Sequence, residues 1–127
     1  MGKHYDCLLI KTLVIGASTN KERYSYKAIQ KLRKLNLDVC ALGLNQGEIM
    51  DVKIETNPIE YKNIHTISIY LKAKNQFQYL NYLIKLNPQR VIFNPGSEND
   101  ILMSKLKESQ ISCENSCTLV LLSTNQY

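Results

Sequence analysis

The residues with the clearest chemistry lie in Thr12–Tyr26, TLVIGASTNKERYSY, where an apolar run breaks at Gly16 and a helical pattern resumes at Ser25. Such a stretch makes a buried strand, a turn of small residues and the first turn of a helix. The unpaired backbone N–H groups of that turn, with the helix dipole behind them, attract an anion. Gly16, Ala17 and Ser18 let the backbone approach a pyrophosphate closely. Lys21 and Arg23 add charge-assisted contacts, and Ser18 and Ser25 add hydroxyls. A second turn cluster, Asn94, Pro95 and Gly96, follows the apolar run Arg90–Phe93. This chemistry receives a phosphorylated ligand and breaks no bond. No Ser, His and acid grouping and no paired carboxylates stand out, and Glu98 and Asp100 beside the second turn suit the positive end of a helix.

Several familiar sites are disfavoured. The loop reads GAS where a dinucleotide fingerprint needs G-x-G-x-x-G, and Gly43, Leu44 and Asn45 offer no acid for ribose hydroxyls, which argues against plain NAD binding. His4 and His65 are the only imidazoles, too few for a His-rich metal site. Cys7, Cys40, Cys113 and Cys117 show no C-x-x-C spacing and read as thiols of a reducing compartment.

The elements that must position these residues follow from periodicity. Thr12–Ile15 is a strand covered on both faces. Ser25, Ala28, Ile29, Leu32 and Leu35 form one face of a helix that ends at Asn36, with Lys27, Gln30, Lys31, Arg33 and Lys34 opposite. Leu37–Leu42 is a second strand ended by Gly43, so the unit is one right-handed βαβ crossover. Residues 44–63 read as a long connection with a short extended piece at Val52–Ile54. His65–Leu71 is a third strand and Lys74–Leu86 a helix stopped by Asn87 and Pro88. Arg90–Phe93 is a fourth strand, Asp100–Gln110 a helix capped by Ser97 or Asn99, and Ile111–Glu114 a fifth strand. Cys117–Ser123 is apolar throughout and fits a buried strand or a docked helix equally. The alternation predicts an α/β fold, a Rossmann-like open parallel sheet of about five strands with helices on both faces. A strand order of 3-2-1-4-5 would place the ligand crevice between the first and fourth strands, and Gly16–Ser18 beside Asn94–Gly96.

Length and charge bound the rest. The chain has 127 residues, suited to a single domain over residues 11–127 after a leader, residues 1–10, ordered in part from Cys7. Its 16 basic and 11 acidic residues give +5, but the cations are spread over several elements, which suits a small phosphorylated ligand and not nucleic acid. No apolar run reaches the roughly 20 residues of a membrane span. The N-terminus lacks a signal-peptide core, and Asp6 stands where myristoylation needs Ser or Thr, so a cytoplasmic protein without a membrane partner is expected. Exposed aliphatics in the final CTLVLL segment make a homodimer reasonable.

The runs VIGASTNKERYSYKAIQKL, RVIFNPGSEN and CTLVLLS resemble the stand-alone CoA-binding proteins, relatives of the nucleotide-binding domain of the succinyl-CoA synthetase α subunit. The resemblance covers Lys11 to Tyr127. It implies a Rossmann-like CoA-binding fold with the CoA phosphates near Gly16, Ala17 and Ser18 and near Arg23, Tyr24 and Ser25. It also implies that Gly43, Leu44, Asn45, Tyr70, Leu71, Asn94, Pro95 and Gly96 line the rest of the site. Where that family often shows Asn-Pro after the second strand, this chain reads Gly43, Leu44, Asn45. No reaction comes with the resemblance, because the synthetase holds its phosphorylated histidine on a further domain for which no length remains. The expected function is non-catalytic binding of CoA or an acyl-CoA, as a regulatory or sensor module. The alternatives are an enzyme or sensor using NADP or another nucleotide, with Lys21 and Arg23 on the extra phosphate, and a ligand-free interaction domain. Cys117 either packs or, at the start of a terminal helix, exchanges with the thiol of CoA.

Overall fold

The computed structural model describes residues 10–127, so all of the expected leader but Ile10 lies outside the described residues. Strand β1 (Lys11–Ala17) sits in the middle of the sheet with Thr12–Ile15 fully enclosed. The other elements follow in chain order: α1 (Tyr24–Lys34), β2 (Asp38–Gly43), β3 (Gly47–Ile49), β4 (Val52–Glu55) and β5 (Thr66–Ile69). After two 3-10 turns, Ala73–Asn75 and Phe77–Tyr79, come α2 (Leu80–Leu86), β6 (Arg90–Phe93), α3 (Asp100–Glu108), β7 (Ser112–Asn115) and α4 (Thr118–Ser123). The sheet order is β3-β4-β2-β1-β5-β6-β7, parallel throughout except for the antiparallel β3–β4 pair.

The expected α/β class is present, with seven strands in place of about five. The two additional strands occupy the segment expected to be a connection. Met50, at φ 55, turns β3 back against β4, and Val52 and Ile54 point inward while Lys53 points out. A three-residue and a four-residue strand are too short to show a period of two, so only Val52–Ile54 was visible as extended chain. β4 then pairs parallel with β2. From β4 inward the strands run β4, β2, β1, and the direction of winding reverses between β1 and β5. The strand beside β1 is therefore β5, not the Arg90–Phe93 strand, and the switch point lies one strand earlier than the sequence suggested.

Helices cover both faces. Leu13, Ile15, Ile67, Ile69, Val91 and Phe93 meet Leu83 of α2 and Leu102 and Leu106 of α3. On the other face Val14, Ala41 and Ile54 meet Ile29 and Leu32 of α1 and Leu122 of α4. The Cys117–Ser123 stretch is a helix, whose buried Thr118 and Leu122 lie one turn apart while Val120 faces out. Asn36 (φ 62) ends α1 in the left-handed conformation, as its position predicted, and Asn87 (φ 49) ends α2 in the same way. The helix expected from Lys74 is shorter, beginning at Leu80, because Gln76 is drawn inward and the chain before it winds as 3-10 turns. The choice of cap for α3 falls to Asn99, whose Oδ1 accepts from the Leu102 amide at 3.1 Å.

His65 stands just before β5 with Nδ1 2.8 Å from the Thr66 hydroxyl. Burial, and after it the Arg90 guanidinium, lowers its pKa below the ordinary histidine value. The folded chain thus binds this proton less readily than the unfolded one. Its favourable contribution is complete above about pH 6.5 and is lost as pH falls from there toward the lowered folded value. The unfolding temperature should fall more steeply between about pH 7 and 5.5 for the native chain than for His65→Gln. Equal slopes would place the ring in free solvent.

Candidate ligand-binding cleft

The turn after β1 is built by two glycines that the sheet cannot replace. Gly16 takes φ +94, the β1–β2 register shifts between Ile15 and Ala17, and a Cβ at Gly16 would stand 2.9 Å from the Tyr70 carbonyl oxygen. A side chain there is opposed by both the backbone conformation and the neighbouring strand. At Gly43 a Cβ would come within 2.3 Å of the Ala17 carbonyl oxygen. Together they let the ends of β1, β2 and β5 close around one turn.

Beyond Gly16 the loop folds on itself. The Asn20 amide donates to Ser18 Oγ at 3.1 Å, the Glu22 amide to Asn20 Oδ1 at 3.0 Å, and the Arg23 amide to the Asn20 carbonyl at 3.0 Å. That delivers Arg23 to the N-cap of α1 with its side chain free of any capping bond, and the first turn carries no acidic residue. The leading amides of this eleven-residue helix therefore have no capping bond from the N-cap side chain.

A cleft of about 650 Å³ opens at this end of the sheet. Of the site residues nominated from the sequence, all but Lys21 and Asn94 line it: the Gly16, Ala17 and Ser18 turn, Arg23, Tyr24 and Ser25, the Gly43–Asn45 loop, Tyr70 and Leu71, and Pro95 and Gly96. The two loops thus meet across β5. Asn94 is buried and serves the scaffold. Its Nδ2 donates to Ser68 Oγ and to the Ile69 carbonyl, both at 2.9 Å, and its Oδ1 accepts from the Thr118 amide at 2.8 Å. Ser68 and Thr118 share a further hydroxyl bond of 2.8 Å, so β5, β6 and the start of α4 are tied together. The NPG and CTLV blocks are in effect one structural unit. Cys117, the first residue of the CTLV block, is the N-cap of α4 and does not line the cleft, so nothing brings it to a ligand thiol there.

Sequence reasoning missed Thr19, Lys72, Lys74, Asn75, Tyr79 and Ser97, which also line the cleft. Their signal was position: Lys72 and Lys74 follow the carboxyl end of a strong strand, where ligands of such sheets bind, but Lys74 had been given to a helix. The cleft walls carry three cations, Arg23, Lys72 and Lys74, and among the described residues no Asp or Glu lines it. Nor do the described residues hold a cluster of His, Cys, Asp or Glu fit for a metal ion. Tyr70 lines the cleft, but its buried hydroxyl lies toward Ser68 and Thr118, which do not, and burial pushes its pKa up to about 12.

An open doubly wound sheet with a cationic cleft at its switch point defines a Rossmann-like α/β protein. The chain belongs to the CoA binding domain family, whose profile matches residues 11–123. Among solved structures it is similar to an uncharacterized protein at 35% identity and TM-score 0.90, over 93% of this chain and 98% of that one. It also shares its fold with a protein from Pyrococcus horikoshii OT3 (21% identity, TM-score 0.82, covering 98% of this chain and 91% of that one). A Thermus thermophilus protein shares it too, at 16% identity and TM-score 0.81, covering 100% and 99%. Among curated proteins no relative matches. No helix among the described residues is long and apolar enough to cross a membrane.

Proposed function

We propose that the cleft binds CoA or an acyl-CoA, with the diphosphate received by the Gly16–Ser18 turn and the first amides of α1, and Arg23 beside it. The observation that carries this reading is a wall of uncapped helix amides and three cations with no carboxylate among the described lining residues. An anionic ligand needs no metal to enter such a site. Family membership supports CoA as that anion. The protein works by binding alone, as a regulatory or sensor module of one domain over residues 11–127, in the cytoplasm and without nucleic acid. The missing acid after β2 leaves NADP as the competing ligand, since nothing there repels a 2′-phosphate.

Thermal unfolding in the presence of CoA, acetyl-CoA, NADP, NAD and ADP tests the assignment. A ligand at about 100 times its dissociation constant stabilises by roughly 2.7 kcal/mol, so CoA is expected to raise the transition by several degrees. A shift with NADP and none with CoA would reverse the assignment. Arg23→Ala is expected to weaken CoA about fivefold to tenfold and to flatten the salt dependence of binding. Unchanged affinity and slope would place Arg23 in solvent.

A further inference from the structure

Resting on the assignment of the cleft to CoA, we infer that the acyl group it is shaped to hold carries a free carboxylate, received by Lys72 and Lys74. The direction of the ligand follows from the sheet. At a switch point of this kind the nucleoside half lies toward the end of the second strand, here Gly43–Asn45, where exposed Leu44 and Tyr24 offer apolar cover. With the diphosphate at Gly16–Ser18, the thiol-bearing half runs the other way, across the ends of β5 and β6. That is the end of the cleft where Lys72 and Lys74 stand.

Neither lysine belongs to an ion pair among the described residues. A neutral acyl chain gains nothing from two uncompensated cations, whereas a carboxylate gains charge-assisted hydrogen bonds. The backbone that carries them is also built to stay in place. Gln76, 1% exposed, donates from Nε2 to the Leu71 carbonyl at 2.8 Å and to the Ser97 carbonyl at 2.7 Å, while its Oε1 accepts from Asn99 Nδ2 at 3.2 Å. Asn99 Nδ2 reaches the Ala73 carbonyl as well, at 3.3 Å, and the Asn75 amide closes a turn on the Lys72 carbonyl at 2.9 Å. A buried amide with donor and acceptor both satisfied locks residues 72–75 against the loop before α3. The two lysine stems thus start from fixed points and lose less freedom on meeting a ligand.

Titration calorimetry of the full chain with thioesters matched in chain length tests this: malonyl-CoA against propionyl-CoA, and glutaryl-CoA against pentanoyl-CoA, with CoA and 3′-dephospho-CoA as references. The carboxylated member of at least one pair is expected to bind about tenfold more tightly at low salt. Lys72→Gln with Lys74→Gln brings that ratio near one, and Lys72→Arg with Lys74→Arg keeps it. Equal affinity within both pairs in the native chain overturns the inference while leaving CoA binding intact. So does a double glutamine variant that loses only the discrimination between CoA and its dephospho form, which puts the nucleotide 3′-phosphate on the lysines. Absence of any CoA binding removes the assignment of the cleft and this inference with it.

Discussion

Replacing Gly43 with alanine is expected to cost about 3 kcal/mol of stability, read as a lower urea midpoint at unchanged slope. The added methyl would sit 2.3 Å from the Ala17 carbonyl oxygen and 3.0 Å from Ile54 Cγ2. One of these obstacles is backbone of the central strand and cannot swing away as a long side chain would. Relief requires β1 and β2 to part where their register already shifts, between Ile15 and Ala17. Since that parting distorts the phosphate turn, CoA affinity should fall together with stability. A variant as stable as the native chain would show that the β1–β2 end is looser than its geometry indicates.

Asn94→Ala is expected to lose a comparable amount, about 3 kcal/mol, for a different reason. Truncation removes two donated bonds and one accepted bond at a residue 1% exposed, and it strands the Thr118 amide at the head of α4. Each buried polar group left without a partner costs about 1–3 kcal/mol. The loss should appear in the urea midpoint, and hydrogen exchange at Thr118 should rise with it. A variant of native stability with weakened CoA binding would instead make Asn94 a ligand contact.

That reversal of role for Asn94 shows where the sequence was legible and where it was not. Gly16 announced itself because a strand of enclosed aliphatics can end in a helix only through a turn of small residues, and the structure needs it for two separate reasons. The Asn-Pro-Gly corner was equally visible as a turn. Its division of labour was not, because which atoms of Asn94 are spent depends on Ser68 and Thr118, residues 26 and 24 positions away. Gln76 was hidden for the same reason: a glutamine in a polar stretch reads as surface until its partners at Ser97 and Asn99 are in place. The β3–β4 hairpin escaped because its strands are shorter than the period needed to detect them. Cys117–Ser123 could not be assigned from hydrophobicity alone, and only packing of Thr118 and Leu122 settled it as helix.

The hairpin also decides how the sheet ends. Its outermost strand, β3, is three residues long and turns the carboxylate of Glu48 outward, while the opposite margin, β7, exposes Ser112 and Asn115. Short, hydrophilic margins offer a poor template for another chain's backbone. Crowded copies of this protein should therefore resist growing into open-ended ribbons, even though the strands between those margins are among its most apolar segments.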